Sequence, residues 1–91
     1  MANTPVEIDV PTLVADRISR FSTVLITDLE DEQTLLQDLD MGHPALVKLA
    51  EALRSIVKLF NKAGTVVVDD VEDSSASVSS TIKLVQDRIK G

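Results

Sequence analysis

The side chains that could do chemistry in this chain are few. His43 is the only histidine, next to the run Asp40-Met41-Gly42. A general base needs a nucleophile and an orienting neighbour, and a metal ligand needs further ligands close by. Neither surrounds His43 in the sequence, so a capping or solvent-facing role is expected. The carboxylates of Asp28, Glu30, Asp31 and Glu32 lack the spaced oxygens and central glycine of a calcium loop. Asp69, Asp70, Glu72 and Asp73 read the same way, as a solvated acidic face. The three glycines stand alone at 42, 64 and 91, so no phosphate-cradling loop is present. Cysteine is absent, which removes disulfides and thiolate metal sites. The expectation is a non-enzymatic protein with no catalytic, metal or cofactor site and no small-molecule substrate.

What the sequence does carry is hydrophobic spacing. Val14, Ile18, Phe21, Leu25, Leu29, Leu36 and Leu39 recur at steps built from three and four, as do Leu46, Leu49, Leu53, Ile56, Phe60, Val67 and Val71. Such steps keep side chains on one helix face. Folded back at Asp40-Met41-Gly42-His43-Pro44, the two stripes oppose each other. Leu39 meets Leu46, Leu25 meets Phe60, Val14 meets Val71, and Phe21 falls opposite Gly64. Asp38–Lys48, Glu32–Arg54, Asp28–Lys58 and Arg17–Asp69 would pair across the flanks. The expected fold is all-α, an antiparallel helix-turn-helix hairpin that association completes as a four-helix bundle.

Local signals set the expected boundaries. Residues 1–10 form an irregular lead, with an N-cap candidate at Asp9 or Thr12 and Pro11 allowed in the first turn. The hairpin spans 11–73, with helices at about 11–39 and 44–73. Gly42 suits a left-handed helix end and Pro44 a helix start. The β-branched Thr65-Val66-Val67-Val68 has strand preference, but a lone strand lacks a partner, so helix is expected. Residues 74–91 form a C-terminal extension or tail. Val78, Ile82, Val85 and Ile89 keep helical spacing there without an intrachain counterpart in the hairpin. Extension of the second helix is the first expectation, and a fold-back as a third short helix the second.

Composition narrows the partners. The 91-residue chain suits one small domain, near the size at which a single core is marginal. Its net charge is −6, and Phe21 and Phe60 are its only aromatics. Nucleic-acid binding wants a basic face and stacking rings, so that class is disfavoured. No stretch is apolar for long enough to cross a bilayer. The start Met1-Ala2-Asn3-Thr4-Pro5 lacks the basic and apolar regions of a signal peptide. Synthesis in the cytoplasm without a leader is expected. The partner is expected to be a protein, either a second copy or a related helical hairpin. Its contacts would be Val14, Ile18, Phe21, Leu25, Leu53, Ile56, Phe60, Val67, Val71, Val78, Ile82, Val85 and Ile89.

Two helices joined by a short glycine-containing turn, in an acidic leaderless chain, resemble the Trp-X-Gly helical-hairpin substrates of type VII secretion. Val6-Glu7-Ile8-Asp9-Val10-Pro11-Thr12-Leu13 is similar to the lead of a leaderless subgroup. Phe60 and Ala63-Gly64, then Val67 and the acids 69, 70 and 72, are similar to the second-helix pattern. Asp40-Met41-Gly42 stands at the turn motif with only Gly42 matching. Val66 and Asp70 have the spacing of the export signal, with valine in place of its aromatic. The resemblance implies a secreted, non-enzymatic hairpin that pairs with a similar one. Two alternatives share the helices: a type III needle- or rod-like filament subunit, and a cytosolic self-associating adaptor or chaperone. His43-Pro44-Ala45-Leu46 is faintly similar to the needle-subunit turn.

Overall fold

The computed structural model describes residues 9–60 and 63–90. They are mostly helical and hold no strand; one isolated antiparallel bridge joins Thr34 to Ser77. Helix α1 spans Val10–Ser22, a 3-10 turn Ile26–Asp28, α2 His43–Phe60, the single turn α3 Val68–Val71, and α4 Val78–Lys90. The all-α expectation therefore holds, whereas the helix lengths differ from the expected ones.

Helix α1 starts with Pro11 in its first turn, where a missing N–H costs nothing. The Thr12 hydroxyl donates to Asp9 Oδ2 at 2.7 Å. Val14, Ile18 and Ser22, four apart, form its buried stripe. The helix ends at Thr23, whose backbone is left-handed (φ 66°), instead of running on to residue 39. Polar side chains there compete for the backbone. Ser19 Oγ donates to the Val24 carbonyl at 2.6 Å, and the Val24 N–H donates to Ser22 Oγ at 3.3 Å. The spacing of Leu25, Leu29, Leu36 and Leu39 was therefore not a helix stripe. A 3-10 turn and a turn over 35–38 leave Leu25 exposed and Leu39 buried.

Helix α2 places Leu46, Leu49, Ala50, Leu53, Ile56 and Val57 in the core. Its described residues run to Phe60, and residues 64–67 are not helical, so it does not continue to residue 73. At Gly64 a Cβ would lie 2.4 Å from Val57 Cγ1 and 2.8 Å from the Arg88 carbonyl oxygen. The chain turns back tightly between α2 and α4 at a point only glycine fits. The tight contact is with Val57 and Arg88, not with Phe21 as the fold-back arithmetic expected. The β-branched run then takes extended backbone, with Val67 at φ −114° and ψ 163°. Among the described residues no strand pairs with it; the Arg54 guanidinium donates to the Val66 carbonyl at 3.0 Å.

Helix α4 is a separate fold-back element rather than an extension of the second helix. Ser77 and Ser80 cap it reciprocally, Ser77 N–H to Ser80 Oγ at 2.8 Å and Ser80 N–H to Ser77 Oγ at 3.2 Å. Val78, Thr81 and Val85 are buried. The starts of α1 and the last turns of α4 line one cleft, and Gly64 brings the ends of α2 and α4 together. So α2 and α4 run in the same direction and α1 runs against both. The apolar tail thus finds its counterpart inside the chain, and one core runs from Val14 through Leu53 to Val85.

The expected cross-helix charge pairs do not form among the described residues. Arg17 and Arg20 both pair with Asp16, the latter at 3.0 Å, and Arg88 reaches Asp70 at 3.4 Å. Exposed pairs of this kind contribute roughly 0–1 kcal/mol each, so the core decides the fold.

Candidate functional site

The features that suggest function gather at the end of the molecule where α2 and α4 begin. The left-handed turn at Thr23 throws the chain off α1, and the 3-10 turn closes with the Asp28 N–H donating to the Leu25 carbonyl at 2.8 Å. That geometry holds Leu25 at 68% and Ile26 at 41% exposure. Immediately after them come exposed Asp28, Glu30, Asp31 and Glu32. No lysine or arginine occurs between Arg20 and Lys48. The side chains of those four acids bond to no described residue.

Beyond this run the connection is fastened down. Thr34 N–H and Oγ1 donate to Asp38 Oδ2 at 2.9 and 3.3 Å, and the Asp38 N–H donates to Thr34 Oγ1 at 3.1 Å. Leu35, Leu39 and Met41 turn into the core. Asp40 takes left-handed backbone (φ 52°), and Gly42 begins the cap of α2 by accepting the Leu46 N–H at 3.0 Å. His43 opens α2, and its Nδ1 lies 2.9 Å from each carboxylate oxygen of Glu72, just after α3. This ties α2 to α3. One residue on, the backbone N–H and hydroxyl of Ser75 bond Asp73 and hold its carboxyl below its ordinary value of 3.8.

The residues singled out from the sequence separate into three groups. Val14, Ile18, Leu53, Ile56, Val71, Val78 and Val85 are buried in the chain's own core. Phe21, Ile82 and Ile89 are partly buried against it. Leu25, Phe60 and Val67 remain exposed. Of the turn, Asp40, Gly42, His43 and Pro44 face solvent and Met41 is buried. Val66 is fully buried. Asp70 accepts the Val67 N–H at 3.0 Å and pairs with Arg88, so this spacing pair is embedded in structure. The sequence reading missed Ile26, Leu59 and Glu72. Leu59 lies off the apolar stripe, and the bond from Glu72 to His43 spans 29 positions, beyond any local pattern.

Two further surfaces exist. Leu59 and Phe60, at 71% and 42% exposure, mark the opposite end of α2. An open cleft of about 610 Å³ lies between the start of α1 and the last turns of α4, where Val10, Pro11 and Ile89 meet Lys83, Asp87 and Lys90. Among the described residues no group of three or more histidines or carboxylates is placed to hold a metal. Among the described residues no helix is long and apolar enough to cross a membrane. Comparison with family models, curated proteins and solved structures returned no match.

Proposed function

We propose that this chain is a non-enzymatic helical protein that acts by associating with another protein through Leu25, Ile26 and the acids that follow them. The observation that carries this reading is a contrast. The apolar helix faces, apart from the Leu59–Phe60 end of α2, are consumed in the chain's own core, yet two adjacent aliphatic side chains stand in solvent on a connection that buries Leu35 and Leu39. Scattered exposed aliphatics are ordinary on protein surfaces. Here the pair sits at the rim of an acidic run with no compensating cation in sequence. That combination gives an apolar centre with a charged border, the usual layout of a protein-binding patch. Because α4 fills the place expected of a partner helix, completion of the fold by association is not part of this reading.

The experiment is site-specific photo-crosslinking in producing cells, with the crosslinking amino acid replacing Leu25 in one version and Glu51, an exposed polar position of α2, in another. The expected result is a discrete adduct from position 25, lost when Ile26→Asp is added, and none from position 51. No adduct from position 25, or the same adducts from both positions, overturns the reading.

A further inference from the structure

Two non-glycine residues of the described chain have left-handed backbone, Thr23 (φ 66°) and Asp40 (φ 52°), and they bracket the connection between α1 and α2. A β-branched residue in that region is strained. Between them, residues 24–39 contain the 3-10 turn and no α-helix. They nevertheless plug the core, with Leu35 at 0% and Leu39 at 3% exposure. The bracket and the plug define one segment.

Its attachment is narrow. Among the described residues, three backbone hydrogen bonds join it to the start of α4. The Leu35 N–H donates to the Ala76 carbonyl, the Val78 N–H to Gln33 and the Ser79 N–H to Asp31, each at 3.0 Å. Val78 and Ser79 are first-turn amides of α4, which have no acceptor within their own helix. Most of the segment's other bonds are internal: the Thr34–Asp38 clasp, Glu30 with Gln33, and the Leu39 N–H to the Thr34 carbonyl. Its ends are tied beside the two brackets: Val24 bonds Ser19 and Ser22 of α1, and the Leu35 carbonyl accepts the Met41 N–H at 3.0 Å.

We propose that residues 24–39 are a strap that opens as one unit about Thr23 and Asp40, uncovering the apolar interior while α1, α2 and α4 stay together. Opening breaks the three bonds to the start of α4 and the Met41–Leu35 bond, withdraws Leu35 and Leu39 with the partly buried Leu29 and Leu36, and relieves the strain at both brackets. Segments with few long-range bonds open well below the global unfolding free energy. The strap stands independently of the association reading. A partner that grips Leu25 and Ile26, which ride on the strap, biases its opening.

Native-state hydrogen exchange on the full chain tests this, because two reporters lie outside the strap. The Leu35, Val78 and Ser79 amides are expected to share one opening equilibrium with a weak dependence on urea. Leu49, Leu53 and Val85 are expected to exchange only on global unfolding. Thr23→Gly removes the strain of the closed state, so the shared exchange is expected to slow about fivefold. Asp38→Ala cuts the Thr34 clasp and is expected to speed exchange at Leu35, Val78 and Ser79 while leaving Leu53 unchanged. The strap is overturned if Val78 and Ser79 exchange without Leu35, if Thr23→Gly speeds the shared exchange, or if Asp38→Ala speeds Leu53 equally.

Discussion

At Gly64 a single hydrogen in place of a side chain lets the chain pass between α2 and α4. A methyl group there would overlap Val57 and the Arg88 carbonyl. Gly64→Ala is therefore expected to cost about 1–3 kcal/mol in urea unfolding, the range for overpacking a filled core. Phe21→Leu should not restore the loss, since Phe21 is not what crowds Gly64. Asp73 gives a prediction in pH. Ser75 holds its folded-state carboxyl below the ordinary 3.8, so the deprotonated form is favoured by folding. That contribution is complete above the unfolded value and declines as pH falls below it, through the lower folded value. An NMR titration should put the Asp73 midpoint below 3.8; Ser75→Ala should move it back up, although the backbone bond remains. A midpoint at or above the ordinary value would remove the Ser75 interaction. Individual residues were partly legible from sequence: Val14, Ile18, Leu53 and Val85 were recognisable as apolar-face positions. Whether a face met its own chain or a partner was not, because spacing defines a face and not what covers it.

At the scale of elements, local chemistry predicted the starts of helices better than their ends. Pro11, Pro44 and the turn at residues 40–44 marked real beginnings. The ends failed where the signal was tertiary. α1 stops at Thr23 through hydroxyl bonds around Val24, and the later leucines keep a helical spacing by coincidence of two short turns. After α2 the chain passes between Val57 and Arg88 at Gly64, a contact that no local spacing announces. The serine-rich run at the start of the expected tail caps α4, and that supplies a test. Ser77→Ala removes the side chain that accepts the Ser80 N–H and should cost about 1 kcal/mol of stability in urea unfolding. Ser79→Ala, at an exposed position, should cost a few tenths at most. Equal effects from the two substitutions would mean that the reciprocal cap does not hold the helix.

For the whole molecule, one core built from α1, α2 and α4 replaces a two-helix hairpin awaiting a second copy. The all-α class was legible because two strongly periodic segments leave little else. The number of helices in the core was not, because nothing in a stripe of Val78, Ile82, Val85 and Ile89 says whether it extends, folds back or waits. If α4 is part of the core, Val85→Ala should destabilise the full chain by about 1–3 kcal/mol, since truncating a fully buried side chain leaves a cavity. The most direct measurement is urea unfolding, followed by circular dichroism with mass by light scattering, on the full chain and on a chain ending at Asp73. The full chain should unfold cooperatively as a monomer of 9.9 kDa, and the shortened chain should show no cooperative transition. A shortened chain that stays helical and unfolds cooperatively would contradict this, as would a full chain that is a fixed dimer or tetramer at every concentration.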